Sequence, residues 1–284
     1  MPKIWITNPS NICNTLTTEE INNYSNSIFK ELVKDKIPYN KQKRPQLIIP
    51  IGSPGAGKST ITKLLVKYHS DININNYVEF DVDNLLDYLP IGGHIRNIPD
   101  INGKKTKIGY AFGWIECLEK ISSSLIFLII QKLIKSNYNL ILHIHNYEII
   151  IDAQLAGYFC ILVYIAVSKN IATERTLNRS FETGRFLQNG WKKSVDWYLK
   201  EYREKAVWYA LWADRFVIVN NNINNYYPTA KDFKVLITHP MNDSKNINNW
   251  RLHIKKLYTE IDKIHISKLS LNNTRRTLTK KNSI

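Results

Sequence analysis

Pro45-Gln-Leu-Ile-Ile-Pro-Ile-Gly52-Ser53-Pro54-Gly55-Ala56-Gly57-Lys58-Ser59-Thr60 is the stretch on which the fold turns. The apolar run before Gly52 is short and bounded by turn formers, which is the pattern of a buried parallel strand. Ile61 to Tyr68 then resumes helical spacing, so strand, glycine loop and helix follow in order. In that context Gly-x-x-x-x-Gly-Lys-Ser is a phosphate-binding loop. Its glycines let successive backbone N–H groups converge on an anion, and the helix amino end adds partial positive charge. Lys58 is placed to reach the β- and γ-phosphates of a nucleoside triphosphate, and the Ser59 hydroxyl to ligate Mg²⁺.

Working outward, the pattern predicts further strands at Tyr77 to Phe80, Asn139 to Ile144, Phe159 to Val167 and Phe216 to Val219, each rich in Ile, Val and aromatic residues. Helical segments separate them, roughly at 110–136, 147–157 and twice between 169 and 212. Such alternation implies an α/β fold: a parallel five-stranded sheet with helices on both faces. An amphipathic helix over 17–35, capped by Thr17 or Thr18, precedes this core, and a last helix over 246–262 follows it. The expected organisation is an N-terminal helical extension at 1–44, the core at 45–220 and a basic C-terminal extension at 221–284. The Asn-rich run after Asn220 reads as a loop.

The chain has 284 residues, 44% hydrophobic and 22% charged, which suits a globular protein and excludes fibrous or wholly disordered classes. Three cysteines, Cys13, Cys117 and Cys160, share no metal-binding or disulfide spacing and point to a reducing, cytoplasmic setting. No stretch approaches the roughly 20 apolar residues of a membrane span. Leu125 to Ile130 reads instead as a buried helix. Net charge is +15, and residues 221–284 hold 12 Lys and Arg against 4 Asp and Glu. A basic end of this kind suits an anionic partner, nucleic acid or a phosphorylated ligand. Residues 263–284, with six basic residues and no acidic one, are expected to be mobile or partner-bound. Trp191, Trp197, Trp208 and Trp212 recur at near-helical spacings and read as core or interface.

Phosphoryl transfer to a hydroxyl needs a group that orients or deprotonates the acceptor, and cations to meet the charge on the moving phosphoryl. The second strand ends in Phe80-Asp81-Val82-Asp83, two carboxylates at the carboxyl end of a parallel strand, where α/β ligands bind. Asp81 is a candidate metal ligand beside Ser59, or else the cap of the helix that follows. The segment Glu174 to Arg185 groups Arg175, Arg179 and Arg185, whose planar guanidinium groups suit phosphate oxygens.

Together these pieces resemble the zeta-toxin family of phosphate-loop kinases, which phosphorylate a hydroxyl of a sugar, usually on a UDP-N-acetyl sugar. The resemblance runs from about Pro45 to Asn220. It rests on Arg44-Pro45, the loop, Phe80-Asp-Val-Asp83 with Pro90 beyond, Asn137-Tyr-Asn-Leu-Ile, Ala156-Gly157-Tyr158 and the arginine segment ending Thr183-Gly184-Arg185. It implies ATP or GTP with Mg²⁺, Asp83 as the base that activates the acceptor, Lys58 as the γ-phosphate ligand, and Arg179 and Arg185, or Arg175, as transition-state cations.

One departure stands out. Where relatives that use nucleotide sugars carry an acidic and a hydroxyl residue at the end of the third strand, this chain has His143 and His145, and Phe127 lies near the place of another sugar-binding carboxylate. His143 and His145 are candidates for contacting the acceptor, and Glu116 and Glu119 for supplying the missing acidity. Two other functions use the same pattern: a polynucleotide 5′-hydroxyl kinase, and a nucleotide-binding structural protein that has lost turnover.

Overall fold

β1 (Gln46–Ile51) is the strand that delivers the chain into the glycine loop, and Leu47, Ile48, Ile49 and Ile51 are all buried. It belongs to a computed structural model that describes residues 15–39, 44–60, 76–90, 123–144, 146–183, 191–222, 233–236 and 250–266. α1 (Thr18–Val33) comes first and opens with a reciprocal cap: the Thr17 hydroxyl accepts from the Glu20 N–H at 3.2 Å, and Glu20 accepts from the Thr17 N–H at 2.8 Å. That satisfies two helix donors that would otherwise lack partners. After β2 (Tyr77–Asp81) a 3₁₀ helix spans Val82–Tyr88; α2 covers 123–135; then come β3 (Asn139–His143), α3 (Glu148–Leu155) and β4 (Phe159–Ala166). α4 (Lys169–Thr183), α5 (Trp191–Ala210), β5 (Arg215–Asn220), β6 (Phe233–Leu236) and α6 (Trp250–Ile266) complete the order.

The strands form one sheet in the order β2-β3-β1-β4-β5-β6. β2 and β3, β3 and β1, and β4 and β5 pair in parallel. The expected five-stranded parallel sheet is therefore present, and β6 extends it by pairing antiparallel to β5, Phe216 opposite Leu236. The chain divides into two compact units, one holding residues 1–49, 71–160 and 176–191, the other 50–70, 161–175 and 192–284.

In the first unit Val78, Phe80 and Leu140 to Leu142 fill the sheet, with Leu125, Ile129 and Leu133 of α2 also buried. α2 shows one apolar face rather than burial all round, because Phe127 is exposed. α3 ends in a left-handed cap: Gly157 has φ 91°, its N–H donates to Gln154 O, and the Tyr158 N–H donates to Ala153 O. Arg44 donates from Nε to Gly157 O at 3.1 Å and from Nη2 to Tyr158 O. The Arg44-Pro45 and Ala156-Gly157-Tyr158 pieces of sequence thus meet, and the Phe159 N–H donates to Pro45 O at 2.7 Å to start β4 beside β1.

In the second unit Leu162 to Val167 and Phe216 to Val219 are buried with Ala206 and Val207 of α5 and Leu257 and Ile261 of α6. Arg203 on α5 pairs with Asp262 on α6, Nε donating to Oδ1 at 2.7 Å and Nη2 to Oδ2, and its guanidinium lies 4.4 Å over the Tyr258 ring. Burial in this core pushes the Tyr164 hydroxyl well above its usual range. Of the core-or-interface reading, Trp197 and Trp208 do not fit the core; both are exposed on α5. Among the described residues Cys160 is a buried thiol outside any disulfide, its Sγ donating to Ile150 O at 3.7 Å, and no helix is long and apolar enough to cross a membrane.

Candidate functional site

The glycine loop lies in the second unit. Gly55 and Gly57 take φ of 74° and 87°, the left-handed region that a side chain disfavours, so the loop's curvature depends on glycine at both places. The Ala56 N–H donates to Ser53 O at 3.0 Å and closes the turn, and the helix begins at Lys58. Gly52 is required for a different reason. A Cβ there would meet Ala56 Cβ and Ile165 O, each at 3.0 Å, so the loop's first residue runs against β4 with no room for a methyl group.

Lys58 folds back over this loop. Its ammonium donates to Gly52 O at 3.0 Å and Ser53 O at 3.5 Å, and it sits 5.9 Å from the Tyr202 ring centre on α5. Tyr202 in turn stacks on Tyr198, rings 8° from parallel. Two carbonyls and an aromatic face thus hold the ammonium over the loop. Ser59 and Thr60 are exposed at the helix start, and Ser53 is buried with its hydroxyl unpartnered among the described residues.

The end of β5 supplies residues that the sequence reading passed over as low-complexity loop. Asn221 and Asn222 are both buried. The Asn221 side-chain amide donates to Ala56 O at 2.6 Å, and its backbone N–H donates to Ala166 O at 2.9 Å. Asn222 Oδ1 accepts from the Ser168 N–H at 2.6 Å, just before α4. On α4, Arg175 is half-buried, and Lys169 at its start pairs with Asp196 at 2.7 Å.

The acidic residues lie in the first unit. β2 ends at Asp81, whose Oδ1 accepts from the Asp83 N–H at 3.0 Å, so Asp81 caps the 3₁₀ helix and the two side chains diverge rather than share a strand face. Asp83, in the first turn, is exposed. In the β2–β3 register Asp81 lies opposite His143. His143 is buried and its Nε2 lies 2.8 Å from Glu79 Oε1, two residues along β2 on the same face. Glu79 was not singled out by sequence; 64 positions separate it from His143, and only strand pairing brings them together. Among the described residues no three His, Cys, Asp or Glu side chains gather as a metal cluster.

Several expected residues are not described at this level. Glu116, Glu119, His145 and Arg185 lie outside the described residues, and Arg179 falls on α4 without a described side chain.

The zeta-toxin family model matches residues 30–232, well over half of the 284. This chain belongs to the zeta-toxin family. Its fold agrees with a chain from the PezAT chromosomal toxin-antitoxin system of Streptococcus pneumoniae, TM-score 0.57 at 17% identity, covering 88% of this chain and 99% of that one. A chain of the Pnkp1/Rnl/Hen1 RNA repair complex aligns over 58% of this chain and 46% of that one at 17% identity, but its TM-score of 0.33 is too low to bear on function. No curated protein sequence matches significantly. Family and fold together make this a phosphate-loop kinase-like α/β protein.

Proposed function

We propose that this zeta-toxin family member transfers the γ-phosphoryl group of ATP or GTP to a hydroxyl of a small molecule, a sugar or nucleotide sugar. The observation that carries the reading is the loop from Gly52 to Thr60: two left-handed glycines, a closed turn and an ammonium group laid over the loop's own carbonyls at the start of a helix. Such a glycine turn, with a lysine ammonium over its carbonyls at a helix start, fits a triphosphate.

In this reading Gly52, Ser53, Pro54, Gly55, Ala56 and Gly57 wrap the phosphates, Lys58 turns from Gly52 O to the γ-phosphate, and Asp83 takes the proton of the attacking hydroxyl. Exposure of Asp83 suits a base that must meet an incoming acceptor. Ser59 and Asp81, oxygen donors of the hard kind, would hold Mg²⁺, which neutralises charge between the β- and γ-phosphates when bound. Arg175, Arg179 and Arg185 meet the charge that spreads over the transferred group. The Glu79–His143 pair, at the carboxyl end of β3 where relatives carry other polar groups, offers the acceptor a polar wall.

The test is label transfer from γ-labelled ATP, with Mg²⁺, to separate pools of sugars, nucleotide sugars and 5′-hydroxyl oligonucleotides. Label in either of the first two pools, lost in Asp83→Asn while nucleotide still binds, is the expected result. Label only in the oligonucleotides overturns the acceptor assignment. Binding of MgATP with no label in any pool overturns the kinase reading and leaves a nucleotide-binding protein.

A further inference from the structure

We propose that Asn221 is a positioning residue that aims the Gly57 amide at the β-phosphate. The inference rests on the nucleotide reading above and adds to it a residue outside the glycine motif. A trans peptide is planar, with its C=O and N–H pointing in opposite directions. The Asn221 amide holds the carbonyl of Ala56, so the N–H on the other side of that peptide, which belongs to Gly57, faces away from Asn221.

The arrangement is specific to an amide donor. Exchanging the nitrogen and oxygen of Asn221 would set two carbonyl oxygens 2.6 Å apart, so the orientation is fixed by Ala56. Asn221 Oδ1 is meanwhile buried and accepts no hydrogen bond among the described residues. A buried acceptor left without a donor is costly, and the contact to Ala56 is retained in spite of it. Asn221 is itself anchored: its N–H donates to Ala166 O at the end of β4, while Asn222 and Asn220 use their side chains on Ser168 and on the Asn222 N–H. Gly57, at φ 87°, has a backbone that turns easily without such a hold, and Ala56 is fully buried between the Asn221 contact and the close approach of Gly52. The side chain thus sets one of the loop's amides in place before any phosphate arrives.

Calorimetry with MgADP and ¹⁵N-glycine spectra of the full chain test this, the chain's 11 glycines giving a spectrum simple enough to assign. In the wild type the Gly57 amide is expected to move strongly downfield on MgADP addition. Asn221→Asp, which sets a carboxylate against Ala56 O, and Asn221→Ala, which removes the donor, are expected to weaken MgADP binding about tenfold or more and to abolish that shift. The Gly157 amide, far along the chain in another turn, should keep its native position and report an intact fold. Two results would overturn the proposal: variants that bind MgADP within about twofold of wild type, or wild-type protein that binds MgADP with no displacement of the Gly57 amide. The second needs no variant and stands even where both substitutions prevent folding. Failure of the wild type to bind MgADP at all would instead overturn the nucleotide reading.

Discussion

Replacing Gly52 by alanine adds a single methyl group, and the structure says where it goes. The new Cβ meets Ala56 Cβ at 3.0 Å and Ile165 O at 3.0 Å, closer than such atoms rest, and neither neighbour is the free end of a flexible chain. One is the methyl group of the buried Ala56 in the loop itself and the other is a carbonyl of β4. The loop and the strand must therefore part by a few tenths of an ångström. Overpacking of this kind costs about 1–3 kcal/mol, equivalent to a fall in melting temperature of roughly 2–5 °C for a chain of this size. Because the displaced segment is the phosphate loop, MgATP affinity should fall with stability, by about tenfold. Gly157→Ala is the control. Nothing lies within 4 Å of its added Cβ, but φ of 91° makes any side chain strained, at about 1–2 kcal/mol. Differential scanning calorimetry and nucleotide titration on both variants should show two destabilised proteins, of which only Gly52→Ala binds MgATP poorly. A Gly52→Ala protein with native melting temperature and native affinity would refute the packing argument.

Three further outcomes follow from other parts of the molecule. Arg203→Ala removes a two-point pair to Asp262 and a ring contact to Tyr258; with Asp262 40% exposed the loss is held to about 1–2 kcal/mol, to be read from denaturant midpoints and to shrink in high salt. The Glu20 carboxyl is held below its usual value, first by the Thr17 N–H and then by the Thr17 hydroxyl. Its stabilisation of α1 is thus complete above the ordinary carboxylate range and disappears as pH falls through the lowered value. Amide exchange within α1 should lose protection on acidification in the wild type, and Glu20→Gln should remove that dependence. His143→Asn, which alters the polar wall beside Asp81, should lower kcat/KM for the acceptor while leaving MgATP affinity unchanged; an equal loss of both would place His143 in the fold rather than at the acceptor.

The sheet was legible because its strands are buried on both faces and read as near-continuous apolar runs, found within a residue or two of their positions. β6 escaped notice. Phe233-Lys-Val-Leu236 is four residues long and becomes a strand only by lying antiparallel along β5, a tertiary cause with no local signature. The glycine loop announced itself through spacing, whereas its latch did not. Asn221 sits in a run of asparagines that looks like loop filler, and its contact to Ala56 spans 165 positions. Asp81 shows the opposite case: both its roles were open from the sequence, and the capping bond to the Asp83 N–H is what the local geometry displays. For Trp197 and Trp208 exposure removes the core half of the core-or-interface reading, since a regular aromatic spacing marks a face of α5 without saying which face meets the core.

The most direct measurement is isothermal titration of the purified chain with MgATP and MgGTP, run beside Lys58→Met. If the loop around Lys58 grips a triphosphate, the wild type gives a saturable, one-to-one isotherm with at least one of the two nucleotides, and the variant loses it while keeping its melting temperature. A wild-type protein that returns only heat of dilution with both nucleotides contradicts the account at its root.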